Sequence, residues 1–218
     1  QWIKAPTMTP VFIKDENGVP LEGVTHIAGG DNNCLLLVDP DGDGLGTAYS
    51  IGNVNGRGGL VAAKSYFAAP VLKMVDESDP GNSDGGDPLD NIKMLAAGDE
   101  AGFAVDGITG YVYGWGTNGG CNRNGMPLML DYKYAAKMAA GDYQLVSGEA
   151  YLTNVIEVIG GNGYGAAITQ EGYMLYWGKN NTPATVDWGG VVPDPDFVGT
   201  STTDNTATTI YEGKKIKH

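Results

Sequence analysis

The sequence predicts an all-β fold assembled from repeated units, and three observations carry that expectation. Glycine is 35 of 218 residues, about 16% against a usual value of roughly 7%. The glycines are spread among short apolar runs, which calls for many turns between short strands. The third observation is an internal repeat, the strongest of the three because it fixes the order of the strands. At 42% hydrophobic and 18% charged residues the chain is globular, and 218 residues are enough for a proper core.

Three segments align: "GVTHIAGGDNNCLLLV" from Gly23, "NIKMLAAGDEAGFAVD" from Asn91 and "NVIEVIGGNGYGAAIT" from Asn154. Each reads as an apolar strand, a small-small-Gly step and a second apolar strand. A turn and an aromatic strand ending in Gly follow: Thr47–Gly52, Tyr111–Gly116 and Tyr173–Gly178. A polar Asn/Gly loop comes next in all three. Proline-led segments stand at Pro10, Pro70 and Pro127. The spacing is 68 residues from Val24 to Ile92 and 63 from Ile92 to Val155. The excess over a compact four-stranded unit falls in polar stretches, Asp76–Asp90 and Ala139–Thr153. In the second stretch "KMAAGD" echoes "MLAAGD". About four short strands cannot bury both faces alone, so the units are expected to stack side by side.

This pattern resembles the regulator-of-chromosome-condensation-type repeat, in its bacterial style. The resemblance is carried by Ala28-Gly29-Gly30, Ala96-Ala97-Gly98, Gly160-Gly161, Trp115-Gly116 and Trp177-Gly178, and covers most of residues 10–180. It implies a β-propeller of four-stranded antiparallel blades, normally seven of them. The first unit departs from the pattern, with Ile51-Gly52 in place of Trp-Gly. The His usual after the glycines is replaced by Asn33, Ala101 and Tyr164. The Gly step is expected to let neighbouring inner strands approach near the axis, where a Cβ would clash. Trp115, Trp177, Tyr113 and Tyr176 are expected to pack as core between blades.

The chain is therefore read as a single partial propeller domain over 1–218. Its repeats run roughly 10–60, 70–126 and 127–185, with 186–218 a loop plus the start of a next repeat. "IKH" at Ile216–His218 matches "IKM" at Ile92–Met94, and Gln1 is not an initiator Met. The expectation is that the chain belongs to a longer repeat protein, with the remaining blades supplied by further sequence or by a partner chain. The Thr-rich stretch Pro193–Thr209 is either an exposed loop or a β-excursion.

The stretch "VDPDGDGLG", Val38–Gly46, places carboxylates at Asp39, Asp41 and Asp43 with Gly44 next, as in the first half of a calcium loop. The twelfth position is Ser50 instead of Glu, and strands rather than helices flank it. It is not an EF-hand. Aligned with "GITG" (Gly107–Gly110) and "QEG" (Gln170–Gly172), it is a blade hairpin with added carboxylates. Asp39, Asp41 and Asp43 are the candidate ligands for weakly held calcium; no other cofactor is expected.

"GGNGYGAA", Gly160–Ala167, can be set on a dinucleotide fingerprint, but that motif needs a helix where the repeat puts a strand. His26 and His218 are the two histidines, and neither has a Cys or His nearby in sequence to build a metal site. Cys34 in "CLLLV" reads as a small hydrophobe, and a Cys34–Cys121 bridge stays open. No spacing singles out a catalytic pair, so no catalytic residue is assigned.

The net charge of −13 argues against nucleic acid and anionic membrane as partners. The longest apolar run, Cys34–Val38, is far too short to span a bilayer. The expected function is a non-enzymatic binding or assembly module of an extracellular, cell-surface or virion-associated protein. Its partners would be a protein or glycan, or neighbouring copies or blades of the same protein. The alternatives are a structural subunit of a surface fibre or layer and a carbohydrate-active enzyme with clustered carboxylates. The small-GTPase exchange activity of one branch of the resembling family is not carried over, because nothing here matches its residues.

Overall fold

A computed structural model describes residues 10–31, 33–52, 65–117, 131–178 and 208–209. These form three four-stranded antiparallel blades. The first contains β1 (Val24–Gly29), β2 (Asn33–Val38), β3 (Thr47–Gly52) and β4 (Ser65–Pro70), hydrogen-bonded in that order. Next comes a hairpin, β5 (Leu72–Met74) and β6 (Gly85–Pro88). The second blade follows as β7 (Ile92–Ala97), β8 (Ala101–Asp106), β9 (Val112–Gly116) and β10 (Tyr132–Lys137). The third blade is β11 (Val155–Gly161), β12 (Tyr164–Thr169), β13 (Met174–Gly178) and β14 (Thr208–Thr209). The expected all-β architecture is thus what the chain adopts.

The repeat extends to backbone detail. The inner pair of every blade carries a register shift at the same place, between Val24 and His26, Ile92 and Met94, and Val155 and Glu157. Such bulges tighten the twist of the innermost strand. The residue before each inner strand is left-handed: Gly23 (φ 71), Asn91 (φ 63) and Asn154 (φ 57). Its carbonyl accepts the NH of the residue just after the second strand, Asp39 (2.8 Å), Gly107 (2.7 Å) and Gln170 (2.7 Å). Glycine and asparagine are the residues that tolerate this backbone at least cost.

The expected reason for the small-small-Gly step is confirmed. A Cβ on Gly30 would overlap the Gly98 carbonyl oxygen, and one on Gly98 would sit 3.0 Å from that of Gly161. The Asp99 NH donates to the Gly161 carbonyl at 3.2 Å. Inner strands of successive blades therefore meet backbone to backbone.

Two apolar cores lie between the blades. Leu35, Leu37, Leu95, Ala104 and Trp115 fill the first; Phe103, Val105, Val158, Leu175 and Trp177 fill the second. Trp115 and Trp177 are 0% and 2% exposed, and Trp177 meets Phe103 edge-on with ring centroids 5.2 Å apart. These aromatics are core packing, as expected. Burying a side chain of this class stabilises by roughly 1.5–3 kcal/mol. The face of the first blade away from the second has no such cover among the described residues. Ile27 is 63% exposed where its counterparts Leu95 and Val158 are 3% and 5% exposed.

The long polar stretches of the sequence are arms, each preceding its own blade. Residues 10–22 pair in parallel with β4 through Asp15 and Ala68, and β5 pairs in parallel with β10 through Lys73 and Ala135. The bases of the second and third blades' arms are each fixed to the previous blade by a closed triangle of hydrogen bonds. Val71 NH donates to Ala48, Leu89 NH to Val71 and Ala48 NH to Leu89, at 2.7–3.0 Å. Met138, Val112 and Leu152 repeat the triangle at 2.8–2.9 Å. All six residues are fully buried. Met138 is therefore the counterpart of Val71, so the echo in "KMAAGD" marks the base of an arm. Pro127, like Gln1–Thr9, Cys121 and Ile216–His218, lies outside the described residues. Among the described residues Cys34 forms no disulfide, and burial pushes its half-buried thiol up in pKa.

Candidate functional site

The "VDPDGDGLG" loop joins β2 to β3 and is held by its own carboxylates. Asp39, 6% exposed, accepts the Gly42 NH at 2.9 Å and the Gly44 NH at 3.0 Å, while Asp43 accepts the Leu45 NH at 2.8 Å. Gly42 (φ 72) and Gly44 (φ 88) supply the left-handed turns this wrapping needs. Burial pushes the Asp39 carboxyl up. The Gly44 NH, the Asp41 side chain and the Gly42 and Asp43 NH groups outweigh it, so the carboxyl is held below the ordinary carboxylate range. One oxygen each of Asp39, Asp41 and Asp43 lies within 4.8 Å of the others, so the sequence-predicted trio is brought together. Strands flank the loop, as expected.

The same loop has a packing role that its composition does not announce. Gly46 and Ile92 exchange backbone hydrogen bonds of 2.8 and 2.9 Å. Leu45 lies so close to Gly107 of the next blade that a Cβ there would overlap its Cδ2. The Thr47 hydroxyl donates to Asp90 at 2.7 Å. The loop is a strap from the first blade to the second.

The arms of the second and third blades meet at the outer edge of β10. Glu77, in the first of them, accepts the Lys137 NH at 3.2 Å. The Lys137 ammonium sits 5.3 Å from the Tyr111 ring centroid and 5.2 Å from that of Tyr151, and the two rings meet edge-on at 6.0 Å. Burial, with Asp106 and Glu77 adding charge repulsion, pushes the neighbouring Tyr113 hydroxyl up to about 12. The arm of the third blade holds a 3-10 turn (Gly141–Tyr143) and a four-residue helix, α1 (Gln144–Ser147). Tyr143 is fully buried and donates to Glu171 at 2.7 Å; burial and that carboxylate push its hydroxyl up to about 12. The helix tip is the opposite: Leu145 is 87% exposed and Val146 49%. Helix α1 was not legible in the sequence, because a single turn has no periodicity to read.

At the other end of the inner strands an open depression of about 330 Å³ is lined by the Gly steps together with Asp31, Asp99 and Asn162. These three occupy one repeat position, which the aligned "GGD", "AGD" and "GGN" could have revealed. His26 is exposed on β1. Among the described residues no helix is long and apolar enough to cross a membrane.

No family model and no curated protein matches the sequence. Solved structures do match. Human WBSCR16 superposes with a TM-score of 0.57 at 18% identity, over 87% of this chain and 40% of that one. Yeast RCC1 (Prp20), solved bound to Kap60, superposes with a TM-score of 0.53 at 19% identity, over 90% of this chain and 38% of that one. The likeness shows an RCC1-type β-propeller fold. The chain spans about two fifths of the length of these structures.

Proposed function

We propose that the chain is a non-enzymatic protein-binding module that recognises its partner through the arms and loops of its blades. The observation that carries this reading is the contrast between frame and additions. The blades repeat down to their bulges and left-handed residues, while the Asp39–Gly46 strap and the two long arms differ from unit to unit. Variable segments on a rigid repeated frame are where recognition is usually built. Yeast RCC1, a protein of the same fold, was solved bound to Kap60, which supports a protein as the partner class. We place the module on the outside of a cell or virion, a reading supported by its strong negative charge.

Affinity capture compares the whole protein with a variant whose 76–84 and 141–149 segments are cut to short turns. Expected is a partner retained by the first and lost by the second. Equal retention by both sinks the reading. Surface labelling of intact cells or particles checks the location, and exclusion of the label overturns it. Calcium at Asp39, Asp41 and Asp43 is a secondary proposal, supported by the gathering of their oxygens. Calorimetry with millimolar calcium tests it, and absence of heat leaves the loop a strap only.

The enzymatic alternative would use Asp31 and Asp99 in the axial depression. Glycan hydrolysis or elimination abolished by Asp31→Asn or Asp99→Asn would replace the binding reading.

A further inference from the structure

We infer that the uncovered face of the first blade is a docking face, and that its partner is another protein chain presenting a three-stranded blade of this same repeat. The segment Pro10–Phe12 supplies the outer strand which that blade lacks. The face is separate from the strap and the two long arms used in the reading above.

The register of the first arm fixes where it belongs. Asp15 meets Ala68 in parallel as Lys73 meets Ala135, and Ala68 and Ala135 each stand two residues before the strand partners of Tyr49 and Tyr113. Ile13 is therefore the counterpart of Val71 and Met138. The Leu21 NH donates to the Ile13 carbonyl at 2.9 Å, as Leu89 does to Val71 at 2.7 Å and Leu152 to Met138 at 2.8 Å. In the second and third arms this bond is one side of a closed triangle, whose third corner is Ala48 or Val112 of the preceding blade. Among the described residues none stands at that corner for the first arm. The Ile13 NH and the Leu21 carbonyl are the two groups that meet it.

The register also carries back along the chain. β4 runs through Ala68–Pro70 into Val71, and β10 runs through Ala135–Lys137 into Met138. The outer strand of one blade thus continues directly into the arm of the next. Pro10–Phe12 enters Ile13 in the same way, at the outer-strand position of a blade beyond the first. Val11 is 68% and Phe12 81% exposed.

The apolar face beside this segment is continuous. Ile13, Leu21, Val24 and Ile27 are the counterparts of Val71, Leu89, Ile92 and Leu95, which share one core. Their third-blade counterparts share the other core. Val24 and Ile27 are 42% and 63% exposed, where Ile92, Leu95, Val155 and Val158 are at most 5% exposed. A face built like the two internal junctions, with a backbone donor and acceptor at its rim, takes a partner strand rather than a helix or loop. A second copy cannot offer that strand edge. On its third blade the position opposite Leu175, which Phe12 would need, is held by its own Thr209.

The test places the photoreactive residue p-benzoylphenylalanine at Phe12 or at Ile27 in the whole protein, irradiates it in its source cells and sequences the cross-linked peptides. Both positions are expected to join one foreign chain. Phe12 should reach the third strand of its repeat unit, and Ile27 the second strand, as β7 lies against β2 here. Ile13→Pro removes the NH but keeps the carbonyl, and should lower the Phe12 cross-link about fivefold, the effect of one hydrogen bond. Ile27→Asp, at an exposed position, should abolish it. Cutting the 76–84 and 141–149 segments should leave it unchanged, so failure of the arm-based reading and failure at this face are separate results. Cross-links within the same polypeptide, to a second copy, to a helix or loop of a foreign chain, or to nothing overturn the proposal. A cross-link indifferent to Ile13→Pro and Ile27→Asp overturns it too.

Discussion

The indole of Trp115 lies directly on the Cα of Gly102, its register partner on the neighbouring strand, and Trp177 lies in the same way on Gly165. A Cβ on either glycine would overlap the Cε2 and Cζ2 atoms of the ring. In the first blade the same pair of positions is Cys34 and Ile51. The large ring and the missing side chain occur together, and so do the smaller apolar residue and the added thiol. The first blade's departure from Trp-Gly is thus one half of a matched exchange.

Gly102→Ala should therefore destabilise the fold by about 1–3 kcal/mol, the cost of overpacking a filled core. Gly102→Cys combined with Trp115→Ile, which installs the first blade's solution, should recover part of the loss of the two single variants. Urea unfolding of all four proteins supplies the coupling; strictly additive losses would show that the pair does not act as a unit.

Position within the stack, not residue type, should decide the cost of truncating an inner-strand apolar residue. Leu95→Ala leaves a cavity between two blades and is expected to cost about 2–5 kcal/mol. Ile27→Ala, at the matching position but 63% exposed, is expected to cost less than about 1 kcal/mol. Thermal unfolding of the two variants distinguishes these outcomes. A large loss from Ile27→Ala would mean that this face is covered in solution.

Much of the fold was legible because its causes are local and repeated. The Gly step announces itself wherever Gly30, Gly98 and Gly161 must meet backbone to backbone, and Trp115 and Trp177 recur 17 and 16 residues after Gly98 and Gly161. The strap was only half legible: Asp39, Asp41 and Asp43 marked a carboxylate-rich turn. That Leu45 reaches Gly107 depends on blade-to-blade geometry that no local pattern records. The arms read as loops because β5 has three residues and α1 four, too few for a period, and because their pairing with β10 and β9 is set by long-range contact. The Asp31, Asp99 and Asn162 rim was present in the alignment but acquires meaning only when the inner strands converge.

The left-handed residue before each inner strand gives a further test. Asn91→Ala should lose about 1–2 kcal/mol, the cost of placing an ordinary side chain at φ 63. Asn91→Gly, which reproduces Gly23, should lose less. Chemical denaturation of both variants checks the order, and a reversed order would mean that the asparagine side chain, not its backbone, secures the turn.

Asp39 should couple the strap to pH. Its folded carboxyl is held below the ordinary range, so its stabilising effect is complete above the unfolded value. That effect is lost as pH falls through the folded one. Asp39→Asn should lower stability at neutral pH and flatten the acid limb of the stability curve. Unfolding curves collected from pH 7 down to pH 3 test this; parallel curves for the two proteins would contradict it.

The buried triangles Ala48–Val71–Leu89 and Val112–Met138–Leu152 bear on how such a chain can gain or lose units over evolutionary time. The arms of the second and third blades are each rooted in one blade and lie against the outer strand of the next, so both described junctions are shared property. A cut placed between two sheets strands three main-chain partners in an apolar interior. Duplication or deletion is tolerated only in register with the triangle, carrying one arm and one blade together as the heritable module.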